Sequence, residues 1–124
     1  MTDTTDTTRT PAEVAAVYFR AWQAGDVEAL RGILADDVTF RGPLGTADGV
    51  EECLRGLQGM GRILERIDVR HVFVDGDDVL TWFDLHTSVA PPAPTANWSH
   101  VEGGRITRIR VAFDARAIAA AIGR

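Results

Sequence analysis

The sequence predicts one α+β domain in which helices come first and a mostly antiparallel sheet follows. Apolar residues recur at helical spacing up to about residue 61, whereas β-branched and aromatic residues dominate from Arg62 onward. Two turn sequences, Asp75-Gly76-Asp77 and Gly103-Gly104, divide this second half into extended runs. Helices followed by strands are typical of a sheet with the helices laid on one face.

Capping residues indicate where three helices begin. Thr10, followed by a proline and then by Glu13, forms a capping-box sequence, and Gly25 is a typical C-terminal cap. Asp26 is predicted to cap the second helix. Asp48, which is followed by an acid three residues later, is predicted to cap the third helix. The apolar positions of each helix share one face: Val14, Val17, Tyr18, Ala21 and Trp22; Val27, Leu30, Ile33 and Leu34; Val50, Cys53, Leu54 and Leu57.

The strands are predicted over residues 38–40, 67–74, 79–89, 95–102 and 105–113. The segment Pro91-Pro92-Ala93-Pro94 is predicted to be a connection, because proline cannot donate to a sheet hydrogen bond. Asp114 is predicted to cap a short alanine-rich helix that ends at Ile122.

Alternation along the strands separates an inner face from an outer one. It places Phe83, Leu85, Ile109, Val111 and Phe113 inside. Asn97 should also point inward, together with Thr95, Ser99 and Val101, and an unpaired buried amide costs ~1–3 kcal/mol. Asn97 therefore needs a partner, either a ligand or a neighbouring backbone group. Both faces of the strand 67–74 are partly apolar, so the pattern assigns it no inner face.

Composition excludes several classes of function. A net charge of −5 without a basic run argues against nucleic acid as a partner, and the apolar runs are too short to span a membrane. Residues 1–9 read as a disordered tail without the features of a secretory signal, so we expect a cytoplasmic protein with one domain over 10–124. Cys53 is expected to be a buried structural thiol, and no metal-ligand spacing is present. Small molecules and other protein chains remain as partners.

Two stretches resemble a known superfamily. Ala16 through Leu30, followed by Ala35-Asp36-Asp37-Val38-Thr39, is similar to the first helices of ketosteroid isomerases, and Gly104 through Asp114 is similar to the last strand of limonene epoxide hydrolase and the SnoaL-like cyclases. The chain thus resembles the nuclear transport factor 2-like superfamily over about residues 10 to 120. The resemblance implies a cone-shaped fold in which three N-terminal helices and a curved sheet enclose an apolar pocket, without metal or organic cofactor.

The resemblance carries over only part of a catalytic site. The isomerase's oxyanion-hole tyrosine falls on Tyr18 and its second donor on Asn97, but its general base falls on Gly42. The functional positions of the epoxide hydrolase fall on Phe40, Gly42, Phe83, Leu85 and Val111, and the acid of the SnoaL-like cyclases also falls on Val111. No acid is present at any of these positions, so epoxide hydrolysis is not expected.

These residues define the predicted site. Tyr18 and Asn97 would donate hydrogen bonds to a substrate oxygen, in a pocket that binds a hydrophobic molecule through Trp22, Phe40, Leu57, Met60, Phe83, Leu85, Val111 and Phe113. Three hypotheses remain open: a cofactor-independent isomerase or cyclase of a carbonyl-containing polycyclic substrate, a non-catalytic binding module, and a structural dimer whose pocket is filled by its own side chains.

The outer sheet face is predicted to form a homodimer interface. It would present Trp82, Trp98, His86, His100, Asp84, Arg108 and Arg110. Exposed tryptophans in a monomer favour burial against a partner. Asp84 and His86, two residues apart, could form an acid–base pair, but a polar network at a subunit interface is the simpler interpretation. His71 is expected to be exposed.

Overall fold

The computed structural model describes residues 9–123, so the predicted disordered tail lies outside the described residues except for Arg9. This range contains four helices and six strands. In chain order they are α1 (Pro11–Ala24), α2 (Val27–Ile33), β1 (Leu34–Gly42), β2 (Gly45–Asp48), α3 (Val50–Gly61), β3 (Leu64–Asp75), β4 (Asp78–Thr87), β5 (Ala90–Glu102), β6 (Arg105–Ala112) and α4 (Arg116–Ala121).

All six strands form one curved sheet in the order β2-β1-β6-β5-β4-β3. Neighbouring strands are antiparallel except β1 and β6, which are parallel. β2 and β3 lie at opposite edges of the sheet. α3, which lies between them in the chain, connects the two edges. The predicted α+β class is confirmed.

The start and end of α1 are as the sequence predicts. The Thr10 hydroxyl accepts from the Glu13 backbone N–H at 3.2 Å, and the Glu13 carboxylate accepts from the Thr10 N–H at 2.8 Å. Gly25 ends the helix in the left-handed region, with φ of 69°, which glycine adopts without steric cost. Such caps are local, so they can be read directly from sequence.

The segment before α3 differs from the prediction. Residues 45–48 form β2, which pairs with the end of β1, so Asp48 belongs to a strand and not to a helix cap. Gly49 is the N-cap residue, with φ of 91° and no side-chain cap. The Glu52 carboxylate instead accepts from the Asp48 N–H at 2.9 Å. This short strand depends on its partner, and its own four residues carry little strand signal.

The prolines predicted to form a connection lie inside β5, which makes that prediction wrong. β5 pairs with β6 only from Ala96 onward, so residues 90–95 have a sheet neighbour on the β4 side alone. A strand with one free side tolerates proline, because the missing N–H has no partner there. The predicted helix cap at Asp114 is also wrong: Ala115 is the N-cap of α4, although the Asp114 carboxylate accepts from the Arg116 N–H at 3.1 Å.

The core lies between the inner sheet face and the helices α1, α2 and α3. The predicted alternation is confirmed in β4 and β6, where Phe83, Leu85 and Ile109 are buried. Burial of each such side chain contributes about 1.5–3 kcal/mol relative to exposure. Among the described residues no helix is long and apolar enough to cross a membrane.

A β-bulge in β3 decides which of its residues face inward. The pairing of β3 with β4 shifts by one residue at Arg70. Before the bulge Ile67 lies opposite the inward Leu85, and after it Phe73 lies opposite the outward Leu80. Uninterrupted alternation from Ile67 would have turned Phe73 inward. The bulge therefore moves a large aromatic residue to the outer face, where it is 59% exposed.

Asp84 and His86, on the outer face of β4, each pair with a residue of the neighbouring strand β3. The His86 imidazole lies 2.8 Å from the Asp68 carboxylate, and Asp84 binds Arg70 at 2.6 Å. The acid–base pair considered for Asp84 and His86 is therefore not formed. Residues on adjacent strands are closer to each other than residues two apart on one strand.

Candidate functional site

A cavity of about 720 Å³ lies between the inner sheet face and the helices α1 and α3. The ten residues that the sequence predicts for the site all line it. They are Tyr18, Trp22, Phe40, Leu57, Met60, Phe83, Leu85, Asn97, Val111 and Phe113. Their convergence follows from the buried faces of α1 and α3 and from the alternation of the strands. Whether they bind a ligand stays a prediction.

Tyr18 and Asn97 are the polar pair of this cavity. Tyr18, on the buried face of α1, is 1% exposed, and Asn97, on the inner face of β5, is 3% exposed. Burial raises the pKa of Tyr18 well above its ordinary value, the nearby Cys53 raises it further, and the Asn97 side chain lowers it. The hydroxyl therefore stays protonated at neutral pH and is available as a hydrogen-bond donor.

Among the described residues, no buried group that lines the cavity is a base at neutral pH. Gly42, Leu85 and Val111, the positions at which the resemblance implies acids, carry no titratable side chain. Besides Tyr18, the titratable lining residues are Glu52 and Cys53. Glu52 is exposed and uses a carboxylate oxygen on the Asp48 N–H. Burial raises the pKa of the Cys53 thiol to about 11, as expected for a structural thiol.

An aromatic wall connects the helices around the cavity. The Trp22 indole N–H donates to the Leu57 carbonyl at 2.9 Å and so fixes α1 against α3. Tyr18 packs edge-on to Phe19, and Phe19 in turn contacts Phe83 with ring centroids 5.2 Å apart. The Trp22 N–H is thereby occupied, so the tryptophan offers a ligand its apolar face only.

Glycines shape the sides of the cavity. Gly56 and Gly59 lie on α3 and line the cavity, and a Cβ atom built at either would meet no atom within 4 Å. A Cβ at Gly42 would instead lie 3.0 Å from Cε1 of Phe40 and 3.6 Å from Cβ of Val111. Side chains at residue 42 therefore point toward the cavity lining.

Sequence reasoning missed several lining residues. Leu44, Cys53, Ile63, Thr95 and Ile122 also contact the cavity. Cys53 and Thr95 had a usable signal, since each lies on a face predicted to be buried. Leu44, Ile63 and Ile122 lie outside the regular elements, where no periodicity indicates direction.

Other sites are weaker candidates. A more open depression of about 580 Å³ between α1 and β3 is lined mainly by small and aliphatic residues and lacks a pair of buried polar side chains. His71 is exposed on the outer face, opposite Trp82. Among residues 9–123, no group of His, Cys, Asp and Glu is arranged to hold a metal ion.

Comparison with known proteins places the chain in a family. A family model described as a SnoaL-like domain matches residues 15–110. The chain belongs to the SnoaL-like domain family. The resemblance to the nuclear transport factor 2-like superfamily is thereby confirmed. No curated protein matches the sequence significantly.

Solved structures share the fold of this SnoaL-like domain. A protein from Kribbella flavida DSM 17836 is 30% identical, with a TM-score of 0.82 and coverage of 90% of this chain and 92% of that one. An NTF2-like protein of unknown function from Cytophaga hutchinsonii ATCC 33406 is 25% identical, with a TM-score of 0.79 and coverage of 88% and 94%. IdmH from Streptomyces antibioticus, a proposed polyketide cyclase, is 23% identical, with a TM-score of 0.74 and coverage of 94% and 100%.

Proposed function

We propose that this SnoaL-like domain binds a neutral, hydrophobic small molecule that carries a carbonyl oxygen. The observation that supports this is a pair of buried polar side chains, Tyr18 and Asn97, in an otherwise largely apolar cavity of ligand size. The lining residues include no Lys, Arg or His. An anionic ligand would therefore lose its hydration without gaining an ionic partner.

Binding or positioning is better supported than base catalysis. Abstraction of a proton from carbon needs a base within reach whose pKa is near the working pH. Cys53, with a pKa of about 11, is protonated at neutral pH, and Glu52 is exposed and hydrogen-bonded to the backbone at the start of α3. The cavity therefore has no buried base to act together with Tyr18 and Asn97.

Ring closure of a flexible carbonyl compound is the second candidate function. The combination of hydrogen-bond donors with no buried base favours ring closure of a substrate that is already an enol. The enol C=C carbon forms a bond to the carbonyl carbon as the C=O π bond breaks, and the enol O–H proton passes to the new hydroxyl oxygen, so folding the substrate and polarising its carbonyl can accelerate the step. The fold of IdmH, a proposed polyketide cyclase, is consistent with this candidate. Product analysis after incubation with such substrates separates it from simple binding.

A matched ligand pair tests the proposal. 9-Fluorenone and fluorene share one tricyclic skeleton but differ by a carbonyl in place of a methylene. We expect fluorenone to bind more tightly by about 2- to 10-fold, the equivalent of one neutral hydrogen bond, and Tyr18→Phe to remove most of that difference. Calorimetry and thermal shift measure the difference in affinity between the two compounds and its loss in the Tyr18→Phe variant. Failure of both compounds and of larger polycyclic ketones to bind would refute the proposal.

We also propose that a second copy of the chain covers the outer sheet face. Three large apolar side chains are exposed there: Phe73 at 59%, Trp82 at 40% and Leu80 at 38%. Contiguous patches of this kind mark interaction sites in soluble proteins. The patch is centred on the β3–β4 hairpin, further toward that sheet edge than the set predicted from sequence.

Sedimentation tests the interface. Trp82→Glu should weaken dimerisation about tenfold or more, because it removes a central aromatic side chain from both copies. Val72→Glu is the matched control, since Val72 is 49% exposed but lies opposite the inward Thr81. A monomeric wild type at micromolar concentration, or equal effects of the two variants, would count against this dimer.

A further inference from the structure

Ser99 lies behind the polar pair and does not line the cavity itself. It is two residues from Asn97 on the inner face of β5, and the two side chains are 2% and 3% exposed. The Ser99 hydroxyl donates to Oδ1 of Asn97 at 3.2 Å. The carbonyl end of the amide is thus held by a residue that a ligand in the cavity does not contact.

This bond fixes which end of the Asn97 amide is turned toward Tyr18. With Oδ1 taken by Ser99, the NH₂ end is left to face the tyrosine hydroxyl. The pKa of Tyr18 is consistent with this orientation of the amide, because the Asn97 side chain lowers it. A neutral side chain does this only by donating a hydrogen bond that stabilises the phenolate.

The Tyr18 hydroxyl is then left with its own proton to donate. The Asn97 side chain acts on the Tyr18 oxygen as a donor, since it lowers the pKa of Tyr18, and among residues 9–123 the hydroxyl forms no hydrogen bond to a protein acceptor. Because Tyr18 lines the cavity, that proton is available to an acceptor atom on a ligand.

We infer that Ser99 is a positioning residue, which orients the Asn97 amide so that the Ser99–Asn97–Tyr18 chain of hydrogen bonds runs in one direction, toward the cavity. The direction favours ligands that accept a hydrogen bond at this end, such as ketones, quinones or esters, over groups that can only donate, such as ammonium ions. The preference among ligands rests on the proposed function, whereas the direction of the hydrogen bonds among the three side chains does not.

An experiment on the ligand-free protein tests the direction of the hydrogen bonds from Ser99 through Asn97 to Tyr18. Tyr18 is the sole tyrosine in the sequence, so the tyrosine Fermi doublet in the Raman spectrum reports on its hydroxyl alone. Ser99→Ala should lower the acceptor character of Tyr18, and Ser99→Thr, which keeps a hydroxyl, should restore it. Asn97→Asp replaces the donor with a carboxylate and should shift the doublet toward a donating tyrosine. A doublet unchanged by both Ser99→Ala and Asn97→Asp would overturn the inference.

The fluorenone and fluorene pair tests the consequence for ligands. Ser99→Ala should weaken fluorenone binding by about 2- to 10-fold, the worth of one neutral hydrogen bond, and leave fluorene binding unchanged. The carbonyl stretch of bound fluorenone should move to higher frequency in the same variant. Equal weakening of both ligands would show a merely structural role for Ser99. If the wild type binds neither compound, the proposed function fails while the Raman result still decides the inference.

Discussion

Replacing Gly42 with aspartate tests whether the cavity lacks only a base. Gly42 does not have a positive φ, so the backbone accepts a side chain. The new Cβ would lie 3.0 Å from Phe40 Cε1, and the ring must therefore move by a few tenths of an ångström. The ring borders open cavity space, so we expect Gly42→Asp to fold at a cost of about 1–3 kcal/mol, typical of mild overpacking.

The expected activity follows from the surroundings of the new carboxylate. An aromatic ring and Val111 would partly remove its water, which raises the pKa of an aspartate above its usual value of about 3.9. Arg41 would not neutralise it, because its guanidinium already binds Asp48 at 2.8 Å and the Ala47 carbonyl. A positioned general base contributes about 10²–10⁴-fold in rate. Removal of the Tyr18 donor in the same background should cost about 10²–10³-fold.

Isomerisation of a β,γ-unsaturated ketone, followed by the ultraviolet absorbance of the conjugated product, is the assay. Gly42→Asn is the matched control, since it adds a side chain of the same size at the same position without a carboxylate. A Gly42→Asp protein that folds and binds the ketone, but is no faster than Gly42→Asn or is insensitive to Tyr18→Phe, would refute the reasoning.

Four further predictions concern stability and reactivity. Thr10→Ala should lower the free energy of unfolding by about 1 kcal/mol, because the capping box is lost. Ile109→Ala should lower it by about 2–5 kcal/mol, because the substitution leaves a cavity in the core. Urea denaturation measures both changes. Cys53, buried and with a pKa of about 11, should react with a disulfide reagent far more slowly than a free thiol at neutral pH, because little thiolate is present; reaction of the native protein as fast as that of a free thiol would contradict this. Hydrogen bonds from Arg116 lower the pKa of Asp114 from 3.8 to about 2, so its support of α4 should persist above pH 4 and vanish toward pH 2 in a carboxyl NMR titration.

The sequence predicted those features that local chemistry determines. The caps of α1 involve residues within one turn of each other, and the alternation in β4 depends on one buried face. The cavity residues followed because the buried faces of α1 and α3 and the inner sheet face all point to one space. Tyr18 and Asn97 are 79 positions apart in the numbering, yet each could be placed from its own element.

The features that sequence could not predict depend on neighbouring strands. The β-bulge at Arg70 is a property of the pairing between β3 and β4, and it reverses the direction of every residue that follows it. The prolines of β5 are tolerated because β6 stops at Ala112. Pairing of His86 with Asp68, and not with Asp84, likewise requires the register of two strands. None of these facts is present in a single segment.

Bare backbone on α3 forms part of the cavity lining at Gly56 and Gly59. Each glycine weakens the helix by about 1 kcal/mol relative to alanine, and a methyl group at either position would meet no atom within 4 Å. Alanine at these positions should therefore stabilise the helix and reduce the space beside it together, without disturbing the hydrogen-bond donors on α1 and β5. Each added methyl group should consequently reduce the size of the largest ligand that the cavity can bind and raise the thermal stability of α3.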